Sequence, residues 1–363
     1  MILTRLRALG MVAVAPVVAA LIAIVVTSAV VALSGDGIGP FWEVMLSAPS
    51  NRDWVAIINQ TSMLFLSGVA AAIGFRMNLF NIGVEGQYTL AAWAAASFAG
   101  AALLPGTLNI WASLVLAMAV GSLWAGLPAV LKVTRGVSEV ISTIMLNSIG
   151  IGLVGWMLNT RGERAGDGRR TAPIPDSSKL VGIQPFEARD GEIWALAVLA
   201  ILVGVAMSLV VNRTRFGFDL RAAGSNQPAA VASGVRVNRM IVIAMMLSGA
   251  VAGLIWMPAL FGGADYYGST FQPLIGFTGI AVALLGRNRP LGIAIGAALF
   301  AWLSVQANPL EAQAGISPSI VNVTQGVVVL SVVIAYEAAR RWRAAAERRA
   351  LAAALARPAE VVA

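Results

Sequence analysis

The sequence predicts an all-α integral membrane protein: a polytopic bundle of about ten transmembrane helices, with a broken or re-entrant segment near 74–87. Three observations predict it. Of the 363 residues, 58% are hydrophobic and 12% charged, and the mean hydropathy is +0.82; soluble domains carry roughly 25% charged residues. The apolar residues gather in runs suited to a hydrocarbon core ~30 Å thick. The basic residues fall in the short loops between alternate runs, which is the positive-inside pattern.

The runs follow in order. Arg5 and Arg7 precede an apolar stretch at 11–33. Ala13, Val14 and Ala15 resemble a cleavage site, but the run exceeds the ~7–15 residue apolar core of a signal peptide. It reads as an uncleaved first helix with its N-terminus inside. Residues 34–54 hold Asp36, Glu43 and Asp53 and lie outside. Residues 55–75 run inward, and an Ala-rich run at 88–104 leads back out to a Pro105-Gly106 turn. Residues 110–131 descend to Lys132 and Arg135, and 140–158 go out again. The loop 161–192 carries both charge signs, with Asp167, Pro173 and Pro175, and lies outside. Residues 193–211 return.

The main cytoplasmic loop, 212–239, sets Arg213, Arg215, Arg221, Arg236 and Arg239 against the single acid Asp219. Residues 240–261 go out to a polar segment, 262–273, with Asp265, Tyr266 and Tyr267. The run 274–285 is short for a span, and Arg287, Arg289 and Pro290 follow it in a tight inner turn. Residues 291–305 exit and 320–336 return. A basic, Ala-rich tail at 340–363 is expected to be helical at the inner surface. The whole, 1–363, reads as one transmembrane domain, with both termini cytoplasmic.

Composition excludes several chemistries. The chain has no Cys and no His, hence no disulfide framework or thiolate metal site and no usual general base. Its only lysines, Lys132 and Lys179, do not follow a glycine, whereas a phosphate-binding loop needs Gly-Lys before Ser or Thr. No nucleophile–base pair appears, so the chain is not read as an enzyme, and any ATP hydrolysis belongs to a partner. The net charge of +8 sits in membrane-flanking loops and does not point to nucleic acid.

The polar stretch 74–87 is costly in a membrane, because non-helical backbone there needs partners inside the protein or in a water-filled cavity. Its two flanking runs are either full spans meeting at Arg76 on the cytoplasmic side or half-helices meeting near the midplane. Asn78, Asn81, Glu85 and Gln87 suit a hydroxyl-rich or base-bearing ligand; capping and interhelical bonding explain them equally well. Asn147 lines a pathway or bonds a neighbouring helix. Trp256, Phe271 and Phe277 stack on a base or belong to an interfacial belt. Glu139 reads as a first-turn acid behind an N-cap at Ser138, and Arg287 and Arg289 as topological anchors. In the cytoplasmic loop, residues 224–226 read as a turn, Ser225 or Asn226 as a cap, 227–233 as a short helix and Gly234 as its C-terminal glycine.

That loop resembles the coupling loop of ATP-binding-cassette importer permeases of the ribose and branched-chain amino-acid group. The pattern is carried by Arg221, Ala222, Gly224, Asn226, Ala229, Ala230 and Gly234. The segment Phe80-Asn-Ile-Gly-Val-Glu-Gly-Gln87 is similar to the nucleoside-type branch, as are Gly136 to Asn147 and Gly279 to Asn288. The resemblance implies a permease subunit that works by alternating access. It implies two cytoplasmic ATPases, which hold the ATP and Mg, docked on the Arg221 to Gly234 loop. It also implies a second related permease or a second copy, an extracytoplasmic binding protein or lipoprotein, and a lipid surround. The cargo it implies is a nucleoside or related ribose-containing solute. A simple-sugar importer and a stand-alone ion-coupled transporter with Glu85 as ion site are the alternatives.

Overall fold

The structure, a computed structural model, describes residues 2–166 and 168–355. Asp167 and residues 356–363 of the expected tail lie outside the described residues. In chain order the helices are α1 (Ile2–Leu33), α2 (Ile38–Met45), α3 (Asn51–Phe75), α4 (Val84–Gly100), α5 (Gly106–Arg135) and α6 (Glu139–Arg161). A small hairpin, β1 (Glu163–Ala165) and β2 (Gly168–Arg170), follows. Then come α7 (Val198–Arg213), α8 (Arg215–Ser225), α9 (Gln227–Ala232), α10 (Val237–Gly253) and α11 (Met257–Ala259). The last are α12 (Ile275–Leu285), α13 (Pro290–Gln306), α14 (Leu310–Ala314) and α15 (Ser319–Leu355).

Among the described residues, six helical stretches are long and apolar enough to cross a membrane, and Val17–Leu33, Ile275–Leu285 and Pro290–Gln306 are shorter apolar helices. Together with α4 these are the segments that the hydropathy pattern marks. The chain is an all-α, multi-pass membrane protein.

The chain forms two compact units, Ala48–Gln306 and Met1–Ser47 with Ala307–Ala363. In the second unit α1 packs along α15, and α2 packs on α1 and α14. Phe41, Met45 and Leu310 are its fully buried anchors, and Trp42 Nε1 donates to Ser28 Oγ at 2.9 Å. Ala13–Ala15 lie within α1. The last span and the first part of the basic tail are one continuous helix, α15, not a span followed by a separate surface helix. Nothing helix-breaking separates them: Tyr336-Glu-Ala-Ala-Arg-Arg is a run of residues that tolerate a helix well.

The larger unit is built on α3, which packs against α7, α10, α12 and α13. A capping box starts it: Ser50 Oγ accepts from the Asp53 amide and Asp53 Oδ2 accepts from the Ser50 amide. Its 25 residues extend about 37 Å at 1.5 Å per residue, a full span. Helix α4 lies against α5, α6 and α10. Helix α5 ends at Gly136 in the left-handed region, with Lys132 and Arg135 in its last turn. Glu139 does more than cap: Lys132 Nζ reaches its Oε2 at 2.6 Å and ties α5 to α6, while Ser138 makes no side-chain cap.

The loop 162–194 holds structure that its sequence does not announce. Beyond the hairpin it straps the segment after α11. The Thr171, Ile174 and Leu180 amides donate to the carbonyls of Tyr267, Asp265 and Phe261. Lys179 bridges Asp176 and Asp265. Hydrogen bonds to Asp265 and then Asp176 raise the Lys179 ammonium above its ordinary pKa.

Candidate functional site

Helix α3 stops at Phe75. The chain turns at Arg76–Leu79, where the Met77 and Leu79 amides both donate to the Gly74 carbonyl. Asn78, exposed at the tip, has φ 56°, a left-handed conformation that Asn adopts more readily than most residues. From Leu79 the backbone climbs back, non-helical, to Gly83, and α4 starts at Val84. Glu85 lies level with Ser67, since both bond the start of α12: Ser67 Oγ donates to the Ile275 carbonyl at 2.9 Å. Ser67 stands two turns before the end of α3. The geometry therefore combines the two arrangements: α3 is a full span, and α4 starts part-way along it.

The polar residues of the break face one another. The Asn81 and Gln87 amides form a reciprocal pair at 3.0 and 3.1 Å. Asn81 Nδ2 also donates to Ser248 Oγ on α10 at 2.8 Å, and Asn81 Oδ1 accepts from the Gly83 amide. Ser248 Oγ in turn donates to the Ala70 carbonyl of α3. Asn147 reaches across from α6: its Oδ1 accepts from the Gly86 amide at 2.8 Å and its Nδ2 donates to the Ile82 carbonyl at 2.7 Å. Asn81, Gln87 and Asn147 are buried, and their side-chain amides are engaged inside the protein.

Glu85, 1% exposed, caps a different helix from its own. Its Oε1 accepts from the Leu274 amide at 2.7 Å and its Oε2 from the Gly276 amide at 2.8 Å. The carboxylate thus satisfies free donors of α12 at the helix end that favours negative charge. The approach is backbone to backbone: a Cβ on Gly276 would lie 2.6 Å from the Glu85 Cα and amide nitrogen.

Beyond Glu85 lies a four-ring cluster. Tyr88, one turn along α4, stacks on Phe271 with centroids 4.9 Å apart. Phe271 also meets Tyr267 at 4.5 Å and Trp256 at 5.4 Å, and Trp256 meets Tyr267 edge-on. Tyr88 Oη donates to the Gln272 carbonyl. Tyr88 and Trp256 are fully buried, Tyr267 nearly so, and Phe271 is half-buried. Phe277 stands 39% exposed on α12, apart from the cluster's ring contacts. Two buried polar atoms in this part of the unit, Trp256 Nε1 and Thr89 Oγ1, have no hydrogen-bond partner.

In the loop 212–239, Thr214 caps α8 and Asn226 caps α9, through the Gly217 and Ala229 amides. Gly234, at φ 83°, follows the end of α9. The expected turn at 224–226 is shorter than the sequence suggests. Gly224 is inside α8, and only Asn226 breaks the helix. The reason is a close approach: a Cβ on Gly224 would overlap the Arg76 carbonyl. Arg221 donates to the Val211 carbonyl at the end of α7. Ala230 is buried, Ala222 is partly buried and Ala229 is exposed. Met77 and Leu79 of the break share one apolar cluster with Leu220, Ala223, Ala230 and Met245. Arg76 Nη2 donates to the Asn288 carbonyl at 2.6 Å, so α8, α9 and the turn after α12 all touch the break.

The sequence reading missed Ser67, Tyr88, Ser248, Tyr267 and Gly276. Tyr88 alone had a signal, lying three residues from Glu85 and so on the same helical face.

A family model described as branched-chain amino acid transport system / permease component matches residues 54–334. The guanosine ABC transporter permease protein NupP of Bacillus subtilis is 34% identical over 288 residues, 77% of this chain and 80% of that one. The glucose ABC transporter permease protein TsgB13 of Haloferax volcanii is 29% identical over 342 residues, 90% and 88% of the two chains. The nucleoside ABC transporter permease protein NupB of Lactococcus lactis is 30% identical over 315 residues, 83% and 85%. A second guanosine permease protein of Bacillus subtilis, NupQ, is also similar, at 26% over 250 residues. No solved structure matches the chain.

Proposed function

This chain belongs to the branched-chain amino acid transport system / permease component family, and from that premise we propose that it carries a nucleoside inward as a membrane subunit of an ATP-binding-cassette importer. The observation that carries the cargo is the aromatic cluster, read beside the relatives named for guanosine and nucleosides. Phe271 is held edge and face by three rings and keeps part of its surface open. A base stacks on such a ring, and base–aromatic stacking contributes ~1–3 kcal/mol.

In this reading Glu85, Asn81, Gln87 and Asn147 do not grip the cargo in the present conformation. Glu85 holds the starts of α4 and α12 together where the pathway passes, Asn81, Gln87 and Asn147 tie the start of α4 to α10 and α6, and Asn78, Phe271 and Phe277 keep exposed surface. The fully engaged Glu85 carboxylate argues against an ion-coupled transporter, which needs a site that binds and releases its ion. ATPases dock on α8, α9 and the turns that flank α9, where Arg221, Ala222, Gly224, Asn226, Ala229, Ala230 and Gly234 lie. A second permease or a second copy completes the pore, as the existence of both NupP and NupQ in one organism suggests. An extracytoplasmic binding protein delivers the nucleoside to the outer face, in a cytoplasmic membrane with both termini inside. ATP and Mg reside in the ATPase.

The test is ATP-dependent accumulation of labelled adenosine in proteoliposomes holding the permeases, the ATPase and the binding protein. Accumulation is expected with ATP and not with a non-hydrolysable analogue. The second reading, a simple-sugar importer, is favoured by the long match to the glucose permease. Labelled glucose accumulating in place of adenosine supports that reading.

A further inference from the structure

We propose that Arg76, Arg221 and Arg289 together form a receptor for a carboxylate side chain of the partner ATPase, beside α8 and α9. The proposal rests on the ATPase-docking reading above and names the chemistry of one contact in it.

Three segments distant in sequence, the turn after α3, α8 and the turn after α12, bring these arginines close to one another. Arg76 Nη2 holds the Asn288 carbonyl, next in sequence to Arg289. Gly224, one turn beyond Arg221 on α8, rests on the Arg76 carbonyl. The charges of Arg221 and Arg289 repel that of Arg76. Among the described residues no carboxylate lies within ion-pair distance of any of the three. Arg76 is half-buried, and its Nε is buried without a hydrogen-bond partner. The positive-inside rule accounts for arginines in inner loops. It does not account for two of them lying beside a half-buried third, since a desolvated cation without a counter-charge is costly. A carboxylate among them relieves the repulsion and accepts forked hydrogen bonds that a guanidinium offers.

The surroundings point to a protein as its source. Phe218, three residues from Arg221 and so on the same face of α8, is 62% exposed, and Val231 on α9 is 60% exposed. Exposed aromatic and apolar side chains beside arginine are the composition of a protein interface core. Arg221 is held ready by its bond to the Val211 carbonyl, and Arg289 is exposed.

The experiment measures binding of the cognate ATPase to the full-length permease in nanodiscs, made of phosphatidylcholine alone or with phosphatidylglycerol. Arg289→Gln is expected to weaken ATPase binding about ten-fold in both lipids, because truncating one partner of a charge pair slows association or speeds release. Arg289→Glu is expected to recover affinity when one acidic residue of the ATPase surface is replaced by Lys. Wild-type affinity of Arg289→Gln, or a loss confined to phosphatidylglycerol discs, overturns the receptor. Val231→Glu separates this from the docking reading. If Val231→Glu weakens binding while Arg289→Gln does not, docking stands and the receptor falls. Wild-type affinity in both variants removes the docking reading itself, and the receptor with it.

Discussion

Glu85 on α4 accepts a 2.8 Å hydrogen bond from the Gly276 amide of α12, although the two residues are 191 positions apart. Together with the Leu274 amide, this bond fixes the starts of two short helices to each other inside the membrane domain. Substitution by Gln keeps one acceptor but turns an N–H toward a backbone N–H. Glu85→Gln is therefore expected to lower stability by about 2 kcal/mol, as for a lost charge-assisted bond, and to reduce uptake several-fold at normal membrane levels. Thermal unfolding in detergent and uptake assays check both. Unchanged stability would show that the clamp does not hold the helices.

Gly276→Ala tests the same contact from the other side. The added Cβ meets backbone atoms at 2.6 Å, which cannot swing away as a side chain can. A loss of about 1–3 kcal/mol is expected, the usual cost of overpacking, with reduced uptake even though Glu85 is intact.

How much of this was legible in the sequence differs by level. Hydropathy alone marks the spans, because a hydrocarbon layer demands long apolar runs whatever the packing. The polar run 74–87 is equally legible as a buried break. Its bonding was not, since Asn81 finds Ser248 and Glu85 finds Leu274 and Gly276 only after distant helices assemble. Gly224 shows the opposite limit. Glycine signals a turn locally, but here it serves a close approach to the Arg76 carbonyl within a helix. The strap at 171–180 is built from backbone amides, which carry no residue signature.

Phe271→Ala is expected to raise the KM for adenosine about ten-fold, the stacking of a base on an aromatic ring contributing ~1–3 kcal/mol. Phe271→Tyr, which keeps the ring, is expected to behave like the unaltered protein. Transport kinetics in proteoliposomes with saturating binding protein check it. Equal KM values for all three would move the base elsewhere.

Gly224 and Val231 separate internal coupling from docking. Gly224→Ala drives a Cβ into the Arg76 carbonyl, so it is expected to destabilise the permease itself by about 1–3 kcal/mol. Val231→Glu, at an exposed position, is expected to leave the permease intact and to abolish stimulation of the ATPase. Thermal shifts and ATPase rates on the two variants check the contrast.

The Lys179 bridge gives a pH prediction. Its pKa is raised in the folded state, so its contribution is fully present below the ordinary lysine value of 10.5 and is lost as pH rises through the folded value. Hydrogen-exchange protection of residues 171–180 is thus expected to stay level from about pH 6 to about pH 9 as far as Lys179 governs it. Lys179→Met is expected to lower it by less than about 1 kcal/mol throughout, as for partly exposed pairs.

The most direct measurement of the central claim is uptake of labelled adenosine, uridine and ribose by cells that carry or lack this gene. Each is repeated in cells whose partner ATPase has its P-loop lysine replaced. The account predicts that nucleoside uptake disappears both without the gene and with the inactive ATPase, while ribose uptake is unchanged. Uptake that needs the gene but survives the inactive ATPase would contradict it.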